Sequence, residues 1–231
     1  MLKCNKFFVK KSATVPVYTI LGLCFSFFIP FLVLLAFRSI SPDPLTNSFV
    51  IIRELALFLL MGILILIIIK GEKLDLASIG LHSRHWGKSI LWSVLIMIVF
   101  IVVVLGCLTL FKVVGISYGQ GDGKYSQVSL WVTSLMMLRA GIFEEVFYRG
   151  YVMERLYKIN SNWLVFFLFP SVVFGLMHYQ QGIGGVIIAT LGGLVLSSFY
   201  WKTRDLKAVI IAHFMVDFIP NVLIPLIAGD M

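Results

Sequence analysis

Charge is what this sequence has least of. Only 13% of its 231 residues are Asp, Glu, Lys or Arg, against 60% that are apolar. A soluble domain carries roughly 25% charged residues, so this deficit excludes a water-solvated globule and makes lipid the main solvent. Acidic residues are the scarcer kind, 11 against 19 Lys and Arg, for a formal net charge of +8. The basic residues do not gather into a patch interleaved with aromatics, which argues against a nucleic-acid surface and for membrane-topology signals. Cysteine is nearly missing. Cys4, Cys24 and Cys107 have neither a metal-ligand spacing nor an even disulfide set, and the last two fall in apolar runs where a cysteine behaves as a small hydrophobe. No HExxH motif and no internal repeat occur, so a zinc site would have to be assembled across helices.

What the chain has in abundance is uninterrupted apolar sequence. A helix needs about 20 apolar residues to cross a bilayer. The candidates are Val15–Phe37, Phe49–Ile69, Ile90–Phe111, Leu130–Tyr151, Trp163–Tyr179, Ile183–Trp201 and Leu206–Ala228. The expected fold is an all-α, polytopic transmembrane helical bundle of about seven spans. The basic start, MLKCNKFFVKK, resembles the n-region of a signal peptide. The apolar run after it is too long and no small-x-small site ends it, so a retained first membrane helix is expected. The chain divides at residues 1–126, three uniformly apolar spans with their loops, and 127–231, four spans that carry almost every polar oddity.

Basic residues assign the sides. With the N-terminus inside, Lys3, Lys6, Lys10, Lys11, Lys70, Lys73, Arg84, Lys88, Arg155, Lys158, Lys202, Arg204 and Lys207 are inner, while only Arg38, Arg53, Lys112 and Lys124 are outer. The positive-inside rule then gives a multi-pass cell-membrane protein with its N-terminus in the cytoplasm and its C-terminus outside. The inner loop GEKLDLASIGLHSRHW is polar and expected to be partly helical; the outer loop GISYGQGDGKYSQ is rich in glycine and turn dipeptides. His82 and His85 lie in the inner loop and receive no role. Gly185, Ala189, Gly193 and Ser197 fall four apart in the sixth span, a stripe that lets a neighbouring helix approach closely.

Ionisable residues inside a span cost about 2.5–3.5 kcal/mol each and usually face a bundle interior or a water-filled cavity. Here they are Arg139, Glu144, Glu145, Arg149, His178, His213 and Asp217. Glu145 and Arg149 are i,i+4 and share a helix face, so they neutralise each other. Glu144 lies about 100° round the helix and is left to meet another helix, as a general base would. His213 and Asp217 are again i,i+4, and His178 stands alone on the fifth span. These side-chain types can activate a water and stabilise an oxyanion, and they are equally the types that bind zinc. Singly each has a plainer reading: a snorkelling charge cluster, a packing histidine, a polar clasp between helices. Arg139 reads as structural or interfacial.

In order, EEVFYR, FGLMH and HFMVD resemble the EExxxR, FxxxH and Hxxx(N/D) motifs of the CPBP family of intramembrane proteases, the CAAX proteases and bacteriocin-processing enzymes also called the Abi family. The motifs fall on Glu144, Glu145 and Arg149, on Phe174 and His178, and on His213 and Asp217. YRGYVMERL, LKAVIIAHF and LDLASIGLHSRHW are similar in context, and the resemblance runs from about Lys70 to the end. It implies a polytopic protease that hydrolyses a peptide bond in or near the membrane, residues 127–231 being its catalytic core. Glu144 would activate the water with His178 assisting; Glu145, Arg149 and Phe174 would organise the site; His213 and Asp217 would hold the oxyanion or position the water. The resemblance leaves open both metal-free glutamate chemistry and a divalent metal such as zinc, held by Glu144, His178, His213 and Asp217. Some relatives carry Asn where this chain has Asp217. Asn can donate to an oxyanion and an ionised Asp cannot, so the readings open for Asp217 are a protonated carboxyl, a partner that orients His213 and a metal ligand.

The expected partners are membrane lipid and a membrane-associated peptide or protein substrate, for which the resemblance offers a prenylated C-terminal motif, bacteriocin precursors and signalling peptides alike. A proton- or ion-coupled transporter and a non-catalytic immunity protein are the competing functions, since buried carboxylates and histidines also serve proton relays. The motifs also raise a geometric difficulty. Counted from the inner face at ~1.5 Å per residue, His213 is shallow, Glu144 deeper and His178 deeper still. Straight helices would not bring them level, so kinks are expected at Pro170, Pro220 and Pro225, with Gly175 and Gly182 adding flexibility.

Overall fold

The computed structural model describes residues 15–42, 45–82, 86–119 and 127–228. Cys4, Lys3, Lys6, Lys10, Lys11, Arg84, His85, Lys124 and residues 120–126 of the outer loop lie outside the described residues. Among the described residues regular structure is entirely helical, with no strand. A backbone in lipid can satisfy its N–H and C=O groups only within itself, so the apolar runs become helices. They are α1 (Val17–Ser39), α2 (Asn47–Leu66), α3 (Trp86–Val114), α4 (Leu130–Glu145), α5 (Glu154–Ile159), α6 (Phe169–Leu176), α7 (Gly182–Thr203), α8 (Leu206–Phe218) and α9 (Ile224–Ala228). Short polar residues mark the starts. Thr46 caps α2 by accepting from Phe49 N–H, and Asp205 caps α8 by accepting from Ala208 N–H, each at 3.3 Å.

Among the described residues five segments are long and apolar enough to cross a membrane: Val17–Ser39, Asn47–Gly71, Trp86–Val114, Tyr179–Thr203 and Leu206–Ala228. Two expected spans fall short of that standard for different reasons. Leu130–Tyr151 carries Arg139, Glu144, Glu145 and Arg149, and the fifth span is reduced to a short apolar helix, Leu164–Leu176. The expectation that the first three spans are uniformly apolar is also corrected: α2 carries Arg53 and Glu54, and Glu54 is fully buried.

α4 packs between α2 and α8, α6 lies along α7, and α3 supports α7 and α8. Leu57, Leu64, Ile96, Phe147, Tyr151, Tyr200 and Leu206 form the centre of one continuous core. The contacts sort into two ends. At one, Arg155 is fully buried and clamps Glu72, with Nη2 at 2.7 Å and Nε at 2.9 Å from Oε2. Thr19 and Tyr151 hydroxyls also donate to Glu72 Oε1, and Arg155 reaches Ser78 Oγ. The inner loop is tucked in here: its 3-10 turn Leu76–Ile79 is capped by Asp75, Leu206 N–H donates to Gly80 O at 3.1 Å, and Arg204 pairs with Glu154. Gly80 has φ of +79°, and an added Cβ would stand 2.9 Å from the Arg204 carbonyl, so glycine is required on both counts. Partial burial, then Arg155, hold the half-buried Lys158 down to about 8. At the other end Arg38 donates to the Tyr179 hydroxyl at 2.7 Å and Ser129 N–H to Asn47 Oδ1 at 2.9 Å.

Candidate active site

The three motifs meet where α4, α6, α7 and α8 pack together. Helix irregularities flank all three. α4 runs through a π-helical stretch, Val146–Met153, into α5; a π turn at Leu164–Leu168 precedes α6, and another at Ile219–Leu223 joins α8 to α9. Pro170 follows the second and Pro220 lies in the third. Proline lacks an N–H and cannot sustain the regular ladder, so the wider turns at the two prolines have a local cause. The stretch through Arg149 contains no proline and has none.

Glycine sets the crossing distances. A Cβ on Gly141 would stand 3.0 Å from Phe214 N and 3.1 Å from its Cα, so α4 meets α8 backbone to side-chain root, one residue from His213. A Cβ on Gly175 would overlap Thr190 on α7. Gly175 is therefore a close-packing position, not the source of flexibility its sequence context suggests.

Glu145 is fully buried, and its Oε1 accepts from Arg149 Nη1 at 2.6 Å and His213 Nδ1 at 2.7 Å. Arg149 extends the network to α7, donating to Gly193 O at 3.2 Å and Ser197 Oγ at 3.4 Å, and its guanidinium lies 4.4 Å over the Phe174 ring. The small-residue stripe thus also supplies acceptors: a Cβ at Gly193 would come within 3.1 Å of Arg149 Nη2. His213 Nε2 lies 3.4 Å from Asp217 Oδ2 and 3.9 Å from Glu144 Oε2. Phe174 packs edge-on against His213 and tilts against His178.

Glu144 does not stand free of its own helix. Its Oε1 accepts from Arg139 Nη1 at 3.2 Å, while Oε2 is buried with no hydrogen-bond partner. Arg139 Nε also binds Glu54 Oε2 at 2.5 Å, and Arg53 Nη2 holds Glu54 Oε1 at 2.8 Å. Glu144 and His178 line one cavity of about 90 Å³, walled by Arg139, Tyr148 and Phe174 and by apolar residues of α1, α2 and α4. That is room for several waters. His178 Nδ1 lies 2.9 Å from Phe174 O; a carbonyl only accepts, so Nδ1 carries the hydrogen and Nε2 is left with its lone pair in the neutral ring.

Sequence reasoning missed Glu54 and Tyr148. Glu54 is an ionisable residue inside an apolar span, the signal that found the others. Tyr148 is four residues beyond Glu144 and so shares its helix face. The ligand set expected for a metal does not fit. Among the described residues no three His, Cys, Asp or Glu side chains are grouped as a metal site requires.

The family model for type II CAAX prenyl endopeptidase Rce1-like proteins matches residues 126–219. No curated protein and no solved structure gives a match. The matched segment takes in α4 to α8, and with them Glu144, Glu145, Arg149, Phe174, His178, His213 and Asp217. Residues 126–219 of this chain are a domain of the Rce1-like family of type II CAAX prenyl endopeptidases.

Proposed function

We propose that this protein is an intramembrane endopeptidase that cleaves a membrane-associated peptide or protein with water activated by Glu144. The observation that carries the reading is Glu144 Oε2: buried, without a hydrogen-bond donor, on a cavity shared with His178 and 3.9 Å from His213 Nε2. A buried carboxylate oxygen in that state accepts a water proton. His178 assists through Nε2, its ring fixed by the Nδ1–H bond to Phe174 O. Glu145 fixes His213 through Nδ1, Asp217 faces Nε2 at 3.4 Å and orients the ring, and the ring so held borders the water at Glu144. Attack on the peptide carbonyl forms a tetrahedral oxyanion, and Glu144 then passes the proton to the leaving amine. Glu145 and Arg149 hold α4, α7 and α8 in register around these groups.

The proposed topology has seven crossings, with the N-terminus cytoplasmic and the C-terminus outside; spans four and five cross packed on one face against α2, α7 and α8. The pairing of Thr19, Glu72 and Arg155 at one end and of Arg38 with Tyr179 at the other supports it. The division at residues 126 and 127 is retained in the same sense, the second part carrying the chemistry. Reporter fusions after residues 118, 160 and 231 test the topology; it requires the middle one alone to be cytoplasmic.

Purified protein in detergent, offered a quenched-fluorescent peptide library, tests the activity. Wild-type protein should cleave a subset, and Glu144→Gln and His178→Ala should each lower kcat at least 100-fold. Full cleavage by both variants would overturn the assignment.

A further inference from the structure

Arg139 is an ionisable residue in the middle of α4, partnered on both sides by carboxylates of different helices. Its Nε is 2.5 Å from Glu54 Oε2 on α2 and its Nη1 is 3.2 Å from Glu144 Oε1. Arg53 completes the group from beyond Glu54, so two arginines and two carboxylates form a chain from α2 to the cavity. The two ends of Arg139 are not equivalent. Glu54 is fully buried and Glu144 is 19% exposed at the cavity. A clasp that only joined α2 to α4 would need the Glu54 contact alone. The second contact occupies one oxygen of Glu144 and leaves the other, Oε2, without a donor and nearest His213 Nε2.

We propose that Arg139, anchored by Glu54, is a positioning residue for Glu144. It fixes Oε1 so that Oε2 faces the reacting water. Residues five apart lie about 140° round a helix and do not share a face, so Arg139 reaches Glu144 only with its side chain swung across. The anchor on α2 holds it there. A guanidinium suits the task because its planar fork can serve two acceptors at once, which an ammonium on one carboxylate cannot reproduce. The inference rests on the reading of Glu144 as the base and goes beyond it by making α2 part of the active-site scaffold.

The test uses full-length protein in detergent, taken from the monodisperse size-exclusion peak, with the library peptide that wild-type protein cleaves fastest. Arg139→Gln should lower kcat at least tenfold with KM within about twofold, because the base is mispositioned while the substrate still binds. Arg139→Lys should recover part of kcat. Glu54→Gln, which removes the anchor without touching Glu144, should lower kcat severalfold at unchanged KM. The proposal is overturned if Arg139→Gln keeps kcat within twofold of wild type, or raises KM at unchanged kcat. If Arg139→Gln does not fold, Arg139→Lys and Glu54→Gln decide: a fall in kcat at constant KM supports the proposal, and full kcat in both overturns it. Glu144→Gln, run alongside, separates the two levels. If it cleaves at the wild-type rate, the base assignment has failed; if it is inactive while the Arg139 and Glu54 variants are fully active, only the positioning role has failed.

Discussion

Gly141→Ala adds one methyl group at the place where α4 crosses α8. The new Cβ would stand 3.0 Å from Phe214 N and Cβ and 3.1 Å from its Cα. Those atoms belong to a helix backbone and its first side-chain carbon, which no rotamer change can move. Relief to an ordinary contact of 3.4 Å therefore requires α8 to retreat by about 0.4 Å. Two effects on stability nearly cancel. Alanine gains about 1 kcal/mol over glycine inside a helix, and overpacking costs about 1–3 kcal/mol, leaving a net loss of about 0–2 kcal/mol. Catalysis has no such compensation. His213 is the next residue back from Phe214, and it moves away from Glu145 and Glu144 together. A misplacement of 1 Å can cost ~10²-fold, so 0.4 Å corresponds to a fall in kcat of about sixfold. Peptide cleavage and a detergent melting curve, measured on the same sample, read both quantities. Gly62→Ala, on α2 with nothing within 4 Å of its added Cβ, is the control and should keep full activity. Equal kcat in the two alanine variants would refute the idea that close approach at Gly141 sets the geometry of the site.

Arg149→Ala should lose both fold and activity, because it strips the buried Glu145 of a charged partner and α7 of its donor to Gly193 O; breaking such a pair costs about 3–5 kcal/mol, and a melting temperature equal to wild type would contradict it. Arg155→Ala should destabilise by a similar ~3–5 kcal/mol by orphaning Glu72, while the variant protein that remains folded keeps its wild-type KM. Asp217→Asn should keep more than a tenth of wild-type kcat, since an amide can still orient His213 across the 3.4 Å gap; a loss as complete as that of Glu144→Gln would show that the charge of Asp217 takes part in the reaction. Gly175→Ala should lower thermal stability by about 1–3 kcal/mol, because its Cβ would overlap Thr190, and an unchanged melting curve would mean that α6 and α7 separate freely.

The scarcity of charge and the length of the apolar runs determined, from the sequence alone, that this is a membrane protein whose described residues form helices and no strand. Each remaining ionisable residue is costly in lipid and has to face the interior, so a short list of polar residues already contained most of the site. The i,i+4 spacing of Glu145 and Arg149 was legible too, because one turn of helix brings such side chains together whatever surrounds them. Partners on other helices were not legible. The His213–Glu145 bond and the Glu54–Arg139 pair join residues 68 and 85 positions apart, and no local periodicity encodes which turn of one helix meets which turn of another. The sequence also made Glu144 look unpartnered, since regular spacing gives it no cation on its own face. Tertiary structure supplied one: Arg139, paired with Glu54 of α2, also donates to Glu144. The three π-helical stretches that flank the motifs and the close crossings at Gly141 and Gly175 were not legible either, because such features arise from packing whole helices together.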